Sequence, residues 1–177
     1  MKTFTQWLHE TYTPEEMAVA NVTSRARGAI GGKAITPRYV ETVAHPKHEI
    51  LDYGAGRDAA HAETLKGKGL NVTAHEFGQN QNERHDPKAL TRKYDIVYAS
   101  NVLNTQSSKA MMASTIDQIR AAVKPGGSFV GNFPMSPRKA GDIDASHVQA
   151  ELERRFKTVK RVGGTKQAPL FHASDSQ

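Results

Sequence analysis

Between residues 51 and 58 the chain reads Leu-Asp-Tyr-Gly-Ala-Gly-Arg-Asp, an acid two residues ahead of a Gly-x-Gly turn. Glycines remove side chains so that a ligand can approach the backbone, and a helix starting after the turn offers unpaired N–H groups. Glu76, in Thr-Ala-His-Glu, follows Gly56 by 20 residues. An acid at the end of a second strand can accept hydrogen bonds from both hydroxyls of a ribose. Gly54 to Ala59 also fits GxGxxA, a pattern shared by dinucleotide and adenosyl sites. Asp52 shifts the balance toward the second, because a carboxylate there repels a pyrophosphate but not a positively charged ligand. Cysteine is absent, which excludes thiolate nucleophiles, disulfide frameworks and cysteine-ligated metals. The eight histidines include no pair at metal-ligand spacing with a supporting acid, so no metal is expected. His61, His75, His85 and His172 remain open as pocket residues, and one of them could be a general base.

These residues need strands that end in one crevice. Glu49–Tyr53 reads as a strand, Asp58–Lys68 as a helix closed by Gly67 and Gly69, and Leu70–Glu76 as a second strand. Tyr94–Ala99 is a third strand. Lys109–Val123 is a helix with Met112, Ile116, Ile119 and Val123 on one face, ended by Lys-Pro-Gly-Gly. Ser128–Phe133 is the next strand, and Val148, Leu152 and Phe156 share a face of a later helix. Thr158–Val162 and Pro169–His172 flank Gly163-Gly164 and suggest a terminal hairpin. Alternating strands and helices predict an α/β fold: a Rossmann-like, doubly wound, mostly parallel sheet with helices on both faces. The polar stretch Gly78–Arg92, where a full doubly wound sheet needs another strand, predicts a rudimentary strand only.

Ahead of this core the sequence predicts a helical N-terminal extension. Phe4, Trp7 and Leu8 share a helical face, and Thr13-Pro14-Glu15-Glu16 reads as a capping box. Residues 24–33, with three Gly and three basic residues, read as a flexible basic loop, and Pro37 restarts a helix carrying Tyr39, Val40, Val43 and Ala44. At 177 residues, one domain is expected, with 1–45 a helical cap and 46–177 the Rossmann-like core.

Three blocks together, LDYGAGRD, YDIVYASNVLN and KPGGSFV, resemble the class I S-adenosylmethionine-dependent methyltransferases, over about Glu49 to Phe133. The resemblance implies an enzyme that moves a methyl group from the sulfonium of S-adenosylmethionine to a nucleophile by in-line displacement. It places Asp52, Tyr53, Gly54, Ala55 and Gly56 on the methionine side of the cofactor, Glu76 on the ribose and Phe77 beside the adenine. Asp86, in HDPKAL, is the match to an acid that contacts adenine N6, and Ser100 and Asn101 fall near cofactor and entering substrate. Asp86-Pro87 reads equally as a helix start, and Asn101 and Asn104 equally as caps or turns. Amino-methylating relatives carry a Pro-Pro motif where this chain has Ser100-Asn101-Val102-Leu103, so no recognised motif writes the acceptor atom.

The net charge is +6. Arg25, Arg27, Lys33, Arg38 and Lys47 form one basic cluster, and residues 120–161 hold nine basic residues against Asp142, Asp144, Glu151 and Glu153. These flanks make nucleic acid a candidate acceptor beside a small molecule, met by the N-terminal helices and by loops that include Ser136-Pro137-Arg138-Lys139. No apolar run is long enough to span a bilayer and the N-terminus lacks a signal peptide's apolar centre, so a cytoplasmic protein without membrane partners is expected. Two other functions compete: a cofactor-binding module that acts as sensor or inhibitor without catalysis, and a dinucleotide-dependent oxidoreductase using Gly54, Gly56 and Glu76.

Overall fold

A computed structural model describes residues 34–136 and 138–175. The expected helix around Trp7, the capping box at Thr13 and the basic loop 24–33 lie outside the described residues, as does Pro137.

The described elements run α1 (Ile35–Val43), β1 (Glu49–Tyr53), α2 (Ala60–Gly67), β2 (Asn71–His75), β3 (Tyr94–Ala99), α3 (Lys109–Ala122), β4 (Val123–Asn132), α4 (Ala145–Glu153), β5 (Thr158–Gly164) and β6 (Pro169–Ser174). The six strands form one sheet in the order β2-β1-β3-β4-β6-β5. β1 pairs in parallel with β2 and β3, and β3 with β4, while β6 is antiparallel to both of its neighbours. The terminal hairpin and the mostly parallel sheet follow the sequence reading.

β1 sits between two strands and is covered on both faces, which is why Ile50, Leu51 and Tyr53 are all fully buried. On one face Val40 of α1 and Ala62 and Leu65 of α2 pack with Ile50, Ile96, Tyr98 and Val130. On the other, Met112, Ile116 and Ile119 of α3 and Val148 and Leu152 of α4 pack with Leu51, Val97 and Phe129. Burying each of these large aliphatic side chains contributes roughly 1.5–3 kcal/mol. α3 and α4 start where the hydroxyl of Ser108 accepts from Met111 N (3.0 Å) and the carboxylate of Asp144 from His147 N (2.8 Å).

Three local expectations shift. α2 begins at Ala60 rather than Asp58, because Ala59 is left-handed (φ 47°) and the turn continues through it. Lys-Pro-Gly-Gly does not separate α3 from a strand at Ser128: Val123 already pairs with Tyr94, and pairing resumes at Ile96–Ser128 after a register shift. Gly78–Arg92 forms no strand, only two 3-10 turns at Gly78–Asn80 and Ala89–Thr91. β2 is therefore an edge of the sheet.

The chain leaves β1 for β2 on one side and returns to β3 on the other. The crevice at the carboxyl ends of β1 and β3 is thus the point where strand order reverses, where open α/β sheets bind ligands.

Candidate functional site

The turn after β1 uses two glycines for different reasons. Both are left-handed, Gly54 at φ 73° and Gly56 at φ 75°. A Cβ on Gly54 would stand 2.8 Å from Val102 Cγ2, so Gly54 lets the loop after β3 press against the loop after β1. A Cβ on Gly56 would meet nothing within 4 Å, which leaves open space beside the backbone.

The turn is stitched to the end of β2. Ala55 N donates to His75 O at 2.8 Å, and Gly56 N donates to Glu76 Oε2 at 2.6 Å. Glu76 Oε1 accepts from Phe77 N at 2.7 Å. Glu76 is 2% exposed, and burial raises its pKa while the two N–H groups oppose the rise. From the far side, His85 Nε2 lies 2.8 Å from Gly56 O and Asn82 Nδ2 donates to Arg57 O at 2.8 Å.

Asp52 lies inside the sheet, opposite Ala74 on β2 and Tyr98 on β3. Burial pushes its pKa up to about 7; the nearby Glu76 charge adds to the rise, and the Tyr98 hydroxyl and Ala62 N–H counter it. The Tyr98 hydroxyl lies beside the carboxylate, and neither Asp52 Oδ2 nor Tyr98 Oη, both buried, has a hydrogen bond of good geometry. Ser100 Oγ, just past β3, is likewise buried without a partner. A buried acid and a buried hydroxyl left unsatisfied at one strand end carry the desolvation cost that a polar or cationic ligand relieves.

The remaining candidates divide. Asn101 is left-handed (φ 58°) and is held by Asn132 at the end of β4. Tyr53 turns its ring into the α3 side of the core, stacks on His75 and donates its hydroxyl to Gln118 Oε1, so only its backbone reaches the turn. Phe77 is half-buried, edge-on to His75 with ring centroids 4.6 Å apart. Asp86 N donates to Ala74 O (2.9 Å), beside the end of β2; its carboxylate caps Lys88 N and pairs with Arg92. Burial pushes the His75 pKa down to about 3, which keeps that ring neutral. His172 Nδ1 lies 2.9 Å from the Tyr39 hydroxyl, and the residue lines a cavity with His48 and Asp95 at the amino-terminal end of the strands, away from the crevice.

Three residues of the arrangement carry no sequence signal of a role: Val102, Asn132 and Tyr98. Val102 and Asn132 act on partners far along the chain, and Tyr98 reads as an ordinary apolar strand residue.

A family model described as "Methyltransferase domain" matches residues 24–160. The chain belongs to that family. This methyltransferase-domain chain is similar in fold to several solved enzymes. One is a TehB-like S-adenosylmethionine-dependent methyltransferase from Corynebacterium glutamicum, at 13% identity and a TM-score of 0.62, over 89% of this chain and 95% of that one. Another is magnesium protoporphyrin IX methyltransferase from Synechocystis with S-adenosylmethionine bound, at 15% identity and a TM-score of 0.60, over 95% and 94%. A glycopeptide N-methyltransferase complexed with S-adenosylmethionine aligns at 15% identity and 0.55, over 84% and 99%. No curated protein sequence matches the chain.

The charge distribution changes the weight of one expectation about this methyltransferase-domain chain. Within 120–161, Arg120 pairs with Asp175, Lys124 with Glu49 and Asp95, Arg154 with Glu151, and Arg155 with Asp117 and Glu151. Arg138 stacks on Phe133, and Arg161 donates to Gln149 and Lys166 O. Six of those nine basic residues are therefore engaged within the fold, four of them with carboxylates. Among the described residues no helix is long and apolar enough to cross a membrane, and no group of three or more His, Asp or Glu could hold a metal ion.

Proposed function

We propose that this protein is an S-adenosylmethionine-dependent methyltransferase whose cofactor lies in the crevice at the carboxyl ends of β1, β2 and β3. When bound, the cofactor supplies an electrophilic methyl group on a positively charged sulfonium. The observation that carries the reading is the pairing of a buried acid, Asp52, whose Oδ2 lacks a well-formed hydrogen bond, with open space over the Gly56 backbone. Gly54, Ala55 and Gly56, with the backbone of Tyr53, hold the methionine side, and Glu76 receives the ribose hydroxyls. Phe77 and Asp86 flank the adenine, and Ser100 and Asn101 stand between cofactor and acceptor.

The loop 100–108 has no titratable residue. This favours catalysis by positioning and exclusion of water over a dedicated side-chain base. The same feature favours, as second reading, a cofactor-binding module that transfers nothing. A small-molecule acceptor fits better than nucleic acid, since the described basic residues of 120–161 are mostly spent on internal partners.

Calorimetric titration of wild type and Glu76→Ala with S-adenosylmethionine, S-adenosylhomocysteine and NADH tests the cofactor. Loss of charge-assisted hydrogen bonds costs about 1.5–3 kcal/mol, so the adenosyl ligands should bind wild type and weaken roughly 10- to 150-fold in the variant. Binding of NADH in their place would sink the reading. Methyl transfer from labelled cofactor to any acceptor would exclude the binding-module alternative.

A further inference from the structure

We infer that Asn82 and His85 are positioning residues that hold the Gly-rich turn in its ligand-ready shape, doing from a strandless connection what no regular element is present to do. The inference rests on the cofactor reading of the crevice.

The connection Gly78–Arg92 lacks a strand, yet it is fastened to the site at three points. Asp86 N donates to Ala74 O (2.9 Å), fixing the segment on the outer edge of β2. Asn82 Nδ2 donates to Arg57 O (2.8 Å), and His85 Nε2 reaches Gly56 O (2.8 Å). His85 is 5% exposed, so its ring needs partners on both nitrogens. Nδ1 accepts from Asn82 N (3.0 Å), which places the ring proton on Nε2, and Nε2 then donates to Gly56 O. One residue thereby links the tight turn 82–85 to the turn after β1.

The physical need is clear from Gly54 and Gly56. Glycine loses more backbone entropy on ordering than any other residue, and this turn orders two of them. Left loose, that cost falls on ligand binding; fixed in advance by neighbours, it does not. Glu76 holds the Gly56 N–H from one side and His85 the Gly56 carbonyl from the other, so the peptide planes on both sides of the Gly56 Cα are each fixed.

Two variants separate positioning from mere packing. Asn places a polar atom where His has Nδ1, and Gln where His has Nε2. His85→Asn keeps the acceptor for Asn82 N and loses the bond to Gly56 O, whereas His85→Gln keeps the donor to Gly56 O. With S-adenosylhomocysteine as probe, His85→Gln should bind within about twofold of wild type and His85→Asn about tenfold more weakly, the scale of one hydrogen bond. The ligand-free unfolding temperatures of the two variants should be alike. Amide exchange at Gly56 and Ala59, measured without ligand, should accelerate in His85→Asn alone. Equal affinity in both variants, or binding losses that simply track unfolding temperature, would overturn the inference. If wild type fails to bind the probe, the cofactor reading fails, and ligand-free exchange still decides the strap: unchanged exchange in His85→Asn refutes it. Should His85→Asn not fold, Asn82→Asp serves, since Asp keeps the acceptor for Arg84 N and removes the donor to Arg57 O. It should weaken the probe and speed the same amides, and wild-type behaviour on both counts would refute the inference.

Discussion

Asn132 and Asn101 hold each other by two hydrogen bonds: Asn101 N donates to Asn132 Oδ1 at 2.7 Å, and Asn132 Nδ2 donates to Asn101 Oδ1 at 2.8 Å. The last residue of β4 thus fixes the first bend after β3, and that bend is left-handed at Asn101. Replacing Asn101 by Gly keeps the backbone shape at no dihedral cost, while Ala pays roughly 1–2 kcal/mol for the left-handed conformation. Asn101→Ala should therefore be the less stable of the two by urea unfolding, although both lose the same side-chain bond. Equal midpoints would mean that the bend relaxes when the amide pair is broken.

Gly54 and Gly56 should respond differently to the same change. Both carry a positive φ, but only at Gly54 would an added methyl meet Val102, at 2.8 Å. Gly54→Ala should destabilise by clearly more than Gly56→Ala, whose cost is the dihedral alone, about 1–2 kcal/mol. Adding Val102→Ala should recover the steric part, so that the double variant, corrected for Val102→Ala itself, approaches Gly56→Ala. A thermal-unfolding cycle over the four proteins measures this coupling.

Arg138 closes the loop after β4. Its guanidinium lies 4.0 Å from the Phe133 ring centroid, donates to Pro134 O at 2.9 Å, and also donates to Gln167 O in the β5–β6 turn. A planar fork can serve a ring face and two carbonyls together, which an ammonium cannot. Arg138→Lys should then behave almost like Arg138→Ala, with faster amide exchange over 133–136 and little change elsewhere. A lysine variant indistinguishable from wild type would show that charge alone suffices.

Much of the frame was legible because its signals are local. β3 begins and ends at Tyr94 and Ala99 as its apolar run dictates, and α3 follows the spacing of Met112, Ile116 and Ile119. The Gly-x-Gly turn and Glu76 stand out for the same reason: each follows a strand that its own few residues announce. Contacts between distant segments leave no such mark. Nothing near Asn132 announces that it serves Asn101, 31 residues away, and a polar run such as Asn82 to His85 looks like any solvated loop until its partners on Gly56 and Arg57 are in place. Tyr53 shows the converse, since a residue inside a ligand-binding motif sends its side chain to Gln118 in the core. Strand alternation decides that, and the motif does not override it.

Asp52 makes the stability of the ligand-free protein depend on pH. Its pKa rises from 3.8 to about 7, chiefly because burial penalises the carboxylate. An acid with a raised folded-state pKa holds a proton in the native chain that the unfolded chain has already released. Stability is therefore highest below about pH 4 with respect to this group, and falls as pH rises toward 7. At 1.36 kcal/mol per unit the fall is up to about 4 kcal/mol, and Glu76, shifted the same way, adds to it. Asp52→Asn removes the ionisation while keeping the shape. It should be more stable than wild type at pH 8, with a flatter profile between pH 4 and 7. It should also bind S-adenosylmethionine more weakly at pH 8, because the neutral amide no longer faces the cationic ligand. In wild type, that ligand favours the ionised acid, so binding at pH 6 should release protons, visible as a dependence of the calorimetric heat on buffer ionisation enthalpy. Urea unfolding of both proteins at pH 5 and pH 8 is the direct check. A wild-type profile that Asp52→Asn leaves unaltered would show that the buried acid does not titrate in this range.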